Sequence, residues 1–335
     1  MPKSVQQKSS HLDSFNGLLS GVLLTKNVIW SLFGRFTPLL VALFIIPFLI
    51  QEMGTERFGL LSIIWMGVGY FSLFDLGIGR ALTKLVAERL GTERQADLPQ
   101  LIRTGMHLMV CFGLFAALAV GLITPWLVGS VFKIPPVLHH EAIWSFWIMA
   151  ATIPFVIASA GFTGILQAWQ QFARINLVRI PLGISNFIGP LFVVLYTPSL
   201  VAVTLVIACS RIVAWLLFRH FCNSLYGGPK QEARIDRNAA RALLSFGGWI
   251  TISNFVGPLM VYFDRFFIAA ALGLSAVAYY TTPYEVITQF WILPDALMNV
   301  LFPAFATSLV LNRQRTLELY HTAVRVILVA MFAPV

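Results

Sequence analysis

Residues 200–218 read LVAVTLVIACSRIVAWLLF, with Arg211 the one formal charge among them. A helix over this run covers ~28 Å at ~1.5 Å per residue, close to the thickness of a bilayer's hydrocarbon core. The run therefore reads as a membrane span with an arginine near its middle. Composition points the same way across all 335 residues: 58% are hydrophobic and only 11% charged. Soluble domains carry roughly 25% charged residues, and the mean hydropathy here is +0.80. So little polar surface cannot cover a soluble globule of this size, which argues against a soluble enzyme and excludes a disordered chain. The net charge of +9 is read as membrane topology, so no nucleic-acid partner is expected.

Working outward, stretches near 28–50, 58–80, 105–131, 142–162, 177–196, 246–272 and 279–305 are also long and apolar enough to span. A ninth opens near His321 and stops at Val335, with VAMFAPV in mid-span character. The chain is thus expected to be a piece of a longer protein. Residues 1–26 are polar and read as a cytosolic tail, with no secretory signal. With that tail inside, the inner segments hold sixteen lysines and arginines, among them Arg80, Lys84, Arg89, Arg103, Arg174, Arg219, Arg237 and Arg241. The outer loops hold only Arg57 and Lys133. The asymmetry supports a cytosolic N-terminus. The segment TKLVAERLGTERQADLPQLIR (83–103) reads either as an amphipathic helix on the inner surface or as a solvated loop.

The chain resembles itself. Trp30 and Gly54 match Trp249 and Gly273, each 219 residues on, and Pro38 and Asp75 match Pro258 and Asp295, each 220 on. Six spans precede the second copy, so the copies run parallel. The expected architecture is an all-α polytopic membrane protein with a two-lobed transporter fold built from six-helix repeats. The first lobe occupies 27–222, a cytosolic linker 223–245, and an incomplete second lobe 246–335.

Ionisable groups inside spans are costly, and each is a functional candidate. The basic ones are Arg35, Arg179, Arg211 and Arg265; the acidic ones are Asp75, Asp264, Glu285 and Asp295. Arg35 and Asp75 lie at similar depth and are placed to pair, as a structural bridge or as part of a site. Arg179 is near enough to the inner face to snorkel. Arg211 is too deep for that, which makes it the strongest candidate for an anionic substrate. Asp264, Arg265 and Glu285, with Tyr279, Tyr280 and Tyr284, form an outer gate, a cation site or an aromatic belt. No HExxH, GxSxG or Walker loop occurs, so no catalytic residue is named. The histidines lack metal-ligand spacing and the three cysteines form no CxxC, so no metal or cofactor is expected.

Two stretches carry a family resemblance. NVIWSLFGRF followed by PFLIQEMGTERFGLLSIIWMGVGYFSLFDLGIGRALTKLVAERL (27–36 and 47–90) resembles the N-terminal region of Wzx-type polysaccharide flippases, in the multidrug/oligosaccharidyl-lipid/polysaccharide exporter superfamily. LLSFGGWITISNFVGPLMVYFDRFFIAAALGLSAVAYYTTPYEVITQFWILPDALMNVLFPAFA (243–306) is similar to the start of their second half. The resemblance implies a bacterial inner-membrane flippase for an undecaprenyl-diphosphate-linked oligosaccharide. It would work with the lipid bilayer and polysaccharide polymerase machinery. Arginines would grip the diphosphate, and Na+ or H+ coupling would use the in-span carboxylates. Two rivals make different demands. A drug/cation antiporter of the same superfamily needs a dominant acidic site, whereas the first six spans hold three arginines and one aspartate. A membrane-embedded glycan polymerase or ligase needs a large polar outer loop, and the longest one here is about 131–141.

The charge asymmetry makes a direct prediction. Single cysteines placed in 84–98 or 226–240 should resist an impermeant thiol label added outside intact cells, and one at 134–138 should react. Labelling of the first two would reverse the orientation.

Overall fold

The computed structural model describes residues 21–71, 75–92, 97–131, 134–226, 236–272, 291–311 and 313–332, and these form helices joined by short connections. They are α1 (Gly21–Met53), α2 (Thr55–Phe71), α3 (Ile78–Leu90), α4 (Leu98–Trp126), α5 (His139–Ala168), α6 (Phe172–Val194), α7 (Leu200–Tyr226), α8 (Arg237–Leu272), α9 (Ile292–Leu311) and α10 (Arg313–Phe332). No strand occurs among the described residues. Among the described residues, four stretches are long and apolar enough to cross a membrane: Leu98–Val131, Pro136–Ala168, Phe172–Val194 and Leu200–Leu225. Shorter apolar stretches lie at Leu40–Met53 in α1 and Leu297–Ala306 in α9.

The outward faces confirm the solvent. On α4, Leu114, Phe115, Leu118 and Leu122 are all exposed at helical spacing. Such a stripe is tolerable only against lipid. By contrast α5 is the buried helix of the set, packed against α3, α4, α7 and, less extensively, α2, α6 and α9.

The second expected span differs from the reading of 58–80. Helix α2 ends at Phe71, and after a turn at Asp75–Gly77 a separate helix, α3, begins at Ile78. Leu76 and Gly77 both have left-handed backbones, with φ of 50° and 66°, which an apolar helix cannot continue through. Segment 83–103 is not one surface helix either. It divides at Gly91, and the apolar side of α3 (Ile78, Leu82, Val86, Leu90) is buried within the protein core, not laid on a bilayer surface. The reason is the set of partners: α4, α5, α8 and α9 all pack on α3.

These contacts tie the two halves together at the face that holds most of the basic residues. A Cβ at Gly77 would lie 2.6 Å from the Gly247 carbonyl oxygen of α8, and a Cβ at Gly247 would lie 2.7 Å from the Leu76 carbonyl oxygen. On the other flank, a Cβ at Gly164 of α5 would lie 2.7 Å from the Gly79 carbonyl oxygen. Around them, Lys84 Nζ sits 4.1 Å above the Phe246 ring. The Asp236 N–H donates to Thr104 Oγ1 at 3.1 Å, and Gln170 Nε2 donates to the Val300 carbonyl at 3.3 Å.

Gly77 is held both by its positive φ and by the lack of room for a side chain. Gly77→Ala should therefore destabilise by at least the ~1–2 kcal/mol of a left-handed L-residue. A thermal-unfolding midpoint in detergent checks this, with Gly121→Ala as the control because no atom lies within 4 Å of its missing Cβ. Equal midpoints for both variants would refute the close approach.

Candidate functional site

Arg211 lies in α7 on the wrong side for a lipid-facing charge. The buried residues of that helix include Leu200, Val203, Ile207, Ala214, Phe218 and Cys222, a stripe of three- and four-residue steps. Arg211 follows Ile207 by one turn and precedes Ala214 by three residues, so it occupies the place where the stripe needs an apolar side chain. Its Nε is buried and has no hydrogen-bond partner among the described residues. One turn on, Trp215 packs edge-to-face on Phe155 of α5, with ring centroids 5.2 Å apart. A further turn on, Arg219 lies with its guanidinium 5.5 Å from the Trp215 ring centroid.

Two contacts set the depth of the other arginines. Gly183 of α6 is pressed against Pro38 of α1, and Gly189 of α6 against Val206 of α7. Helices α6 and α7 are joined by a short turn and run antiparallel. At ~1.5 Å per residue, Arg211 is then within ~2 Å of the level of Gly183. Arg35 is three residues from Pro38 and Arg179 four from Gly183, ~4.5 Å and ~6 Å along their axes. The structure thus brings the backbones of Arg35, Arg179 and Arg211 onto three neighbouring helices within about one turn of one level. Arg179 is half-buried and engaged in an interaction of its own. Of Arg35 only the backbone, in α1, is described.

Of the acidic candidates, the side chains of Asp75 and Asp295 are described. Asp75 is buried, and its carboxylate accepts hydrogen bonds from the Gly77 N–H at 2.9 Å and the Gly79 N–H at 3.1 Å. It caps the start of α3, which is the work of a carboxylate at a helix N-terminus. Asp295 is exposed in the first turn of α9. Asp264 and Arg265 lie in α8 with their side chains outside the described residues, and Glu285 lies outside them altogether.

Sequence reasoning missed two features. At the opposite face, Arg57 makes a two-toothed salt bridge with Glu141, Nε–Oε2 at 3.1 Å and Nη2–Oε1 at 3.2 Å. That bond raises the Arg57 pKa above its ordinary value. Glu141 also accepts from the Leu200 N–H at 3.5 Å, so one carboxylate ties the starts of α2, α5 and α7. The second feature is a pair of buried polar atoms without partners among the described residues, Trp65 Nε1 and Asn186 Oδ1. A neutral amide inside an apolar run was the available signal, since it too is costly in lipid.

With the geometry in place, comparison with known proteins is decisive on kinship. The family described as polysaccharide biosynthesis protein matches residues 24–309. The chain belongs to that family. A Shigella flexneri protein assigned as an O-antigen transporter is 29% identical over 284 residues, which cover 83% of this chain and 65% of the relative. Among solved structures, a MATE transporter in complex with MaD3S superposes with a TM-score of 0.81 at 16% identity, covering 96% of this chain and 73% of that one. A Pyrococcus furiosus MOP-superfamily transporter, described as having a binding pocket of reversed polarity, gives a TM-score of 0.78 at 15% identity, covering 96% and 72%. At such identities the likeness is one of fold. This member of the polysaccharide biosynthesis family is an all-α, multi-pass membrane protein with a MATE-like transporter fold.

The cap and the coupling roles of Asp75 separate experimentally. Asp75→Asn retains an acceptor for one glycine N–H and should keep most of the stability, whereas Asp75→Ala should lose ~1 kcal/mol. If Asp75 carries a coupling ion, Asp75→Asn should instead abolish transport at unchanged thermal stability.

Proposed function

We propose that this protein translocates an undecaprenyl-diphosphate-linked oligosaccharide from the inner to the outer leaflet of the bacterial inner membrane, for O-antigen, capsule or exopolysaccharide assembly. The observation that carries the reading is Arg211, a half-buried side chain in the core-facing stripe of a membrane helix, whose buried Nε is unpaired among the described residues. A diphosphate at bilayer depth needs planar, doubly donating cations, and Arg supplies them better than Lys. Arg35 and Arg179 stand at nearly the same level, and Arg265 is the corresponding candidate in the second half. Family membership and the O-antigen transporter relative support the glycan substrate. A drug/cation antiporter would want a carboxylate where Arg211 stands.

In this reading the N-terminus is cytosolic, 27–222 and 246–335 belong to two lobes, and 223–245 links them. The tight contact of α3 with α8 and α9 is then a seal on the cytosolic side. Asp264, Glu285 and Asp295, with Asp75, are the candidates for Na+ or H+ coupling. The polysaccharide polymerase machinery receives the product outside.

In cells whose surface glycan depends on this protein, Arg211→Lys should keep the charge and lower export partially. Arg211→Ala should lower it by roughly tenfold or more, as expected from loss of a charge-assisted hydrogen bond. Membrane abundance should stay at the parental level in both. Normal export by Arg211→Ala at normal abundance would remove Arg211 from the site; loss of abundance in both variants would make its role structural.

A further inference from the structure

Three buried polar atoms lack partners among the described residues at one depth of the first half: Trp65 Nε1 on α2, Asn186 Oδ1 on α6 and Arg211 Nε on α7. Their levels follow from side-chain contacts. The Trp65 ring meets Phe187 edge-on, centroids 5.1 Å apart, which places it one residue along α6 from Asn186. The Gly189–Val206 contact puts Arg211 two residues from the level of Asn186 in the other direction. All three therefore fall within ~6 Å along the helix axes. The helices touch one another as well, α6 with α7 and α2 with α7. Among the described residues, the two other unpaired atoms of this kind lie elsewhere. Ser145 is near the start of α5, and Asn176 is ten residues from Asn186 toward the basic face.

The donor set is mixed. Arg211 brings a cation with N–H donors, and Trp65 brings one neutral N–H donor. Asn186 brings an amide whose oxygen accepts and whose nitrogen donates, whichever way it is turned. A bare diphosphate has only acceptor oxygens on its charged face and leaves the amide oxygen unmatched. A sugar joined to phosphate satisfies all three. Its phosphate faces the cation, and the neighbouring hydroxyl or acetamido N–H, about one helical turn away, meets the amide. We infer that Trp65 and Asn186 form, beside Arg211, a subsite that reads the first sugar of the lipid-linked glycan at its junction with the diphosphate. The inference rests on the proposed function and adds specificity-determining residues to it.

The test is a set of binding titrations on the purified protein in detergent. The probes are undecaprenyl diphosphate without sugar and the same carrier bearing a single N-acetylglucosamine or a single galactose. The protein should bind at least one glycosylated carrier about fivefold tighter than the bare carrier, the worth of one satisfied hydrogen bond. Asn186→Leu and Trp65→Phe should each shrink that ratio toward one and leave affinity for the bare carrier within about twofold. Asn186→Ser gives the same reading should the leucine variant fail to purify as a monodisperse species. An unchanged ratio in all these variants, an equal loss for bare and glycosylated carriers, or no preference in the parental protein would overturn the subsite. Arg211→Ala should weaken all three probes together. If it does not, the diphosphate role of Arg211 fails, an outcome distinct from any change in the sugar ratio.

Discussion

The Asp75 carboxylate, bonded to the backbone N–H groups of Gly77 and Gly79, fixes the turn on which the packing of the two halves depends. It holds a left-handed pair of residues in place, and that pair turns the Leu76 carbonyl oxygen and the Gly77 backbone toward Gly247 of α8. The opposite flank meets α5 in the same way, Gly79 against Gly164. In lipid there is no hydrophobic gain from bringing helices together, so close backbone approach through small residues supplies the attraction. Among the described residues, the polar contacts around this junction include two neutral hydrogen bonds and a cation–π contact.

Arg211 obeys the opposite logic. It stands where an apolar residue would complete the stripe from Leu200 to Cys222, and an arginine at the centre of a span costs on the order of 2.5–3.5 kcal/mol on insertion scales. Packing alone gives no return on that cost, since leucine or methionine would fill the place. Nor does the helix offer an acid of its own: residues 200–226 contain none. The compensation has to come from a neighbouring helix or from something bound. The polar atoms of Trp65 and Asn186, at the same level, are also without partners among the described residues.

Much of this was legible in the chain itself. The apolar runs announced the spans, and Leu200, where the deciding run opens, is where α7 begins. Helix α6 starts five residues before the expected span, at Phe172, because Arg174 and Asn176 are helical although too polar to count as apolar. The turn at Asp75–Gly77 was not legible. Hydropathy sees SLFDLGIG as more span, and only the backbone geometry of Leu76 and Gly77 reveals a turn. That the Asp75 carboxylate is engaged by the amides of its own turn was not legible either, and the Arg35 side chain expected to pair with it lies outside the described residues. A count restricted to ionisable groups could not find Trp65 or Asn186. The Arg57–Glu141 clamp joins residues 84 apart in sequence, a distance over which charge patterning has no reach.

The junction and the arginine belong to one packed body. The hydrophobic cluster that includes Ile78, Leu82 and Val86 of α3 continues through Ile157 and Ile165 of α5 to Ala214, Phe218 and Cys222 of α7. Helix α5 is common to both ends, touching α3 at Gly164 and α7 through Phe155 on Trp215. Cores of this density transmit displacement and do not absorb it. Helix α8 meets this body through α3 and α4, and α9 meets it through α1, α3 and α5. Ala239 and Leu243 of α8 and Val300, Ala304 and Ala306 of α9 lie in the same cluster, so the turn, the α5 spine and the stripe that carries Arg211 share one core. Under the proposed function, a substrate held at Arg211 is therefore gripped by a side chain whose helix this core positions.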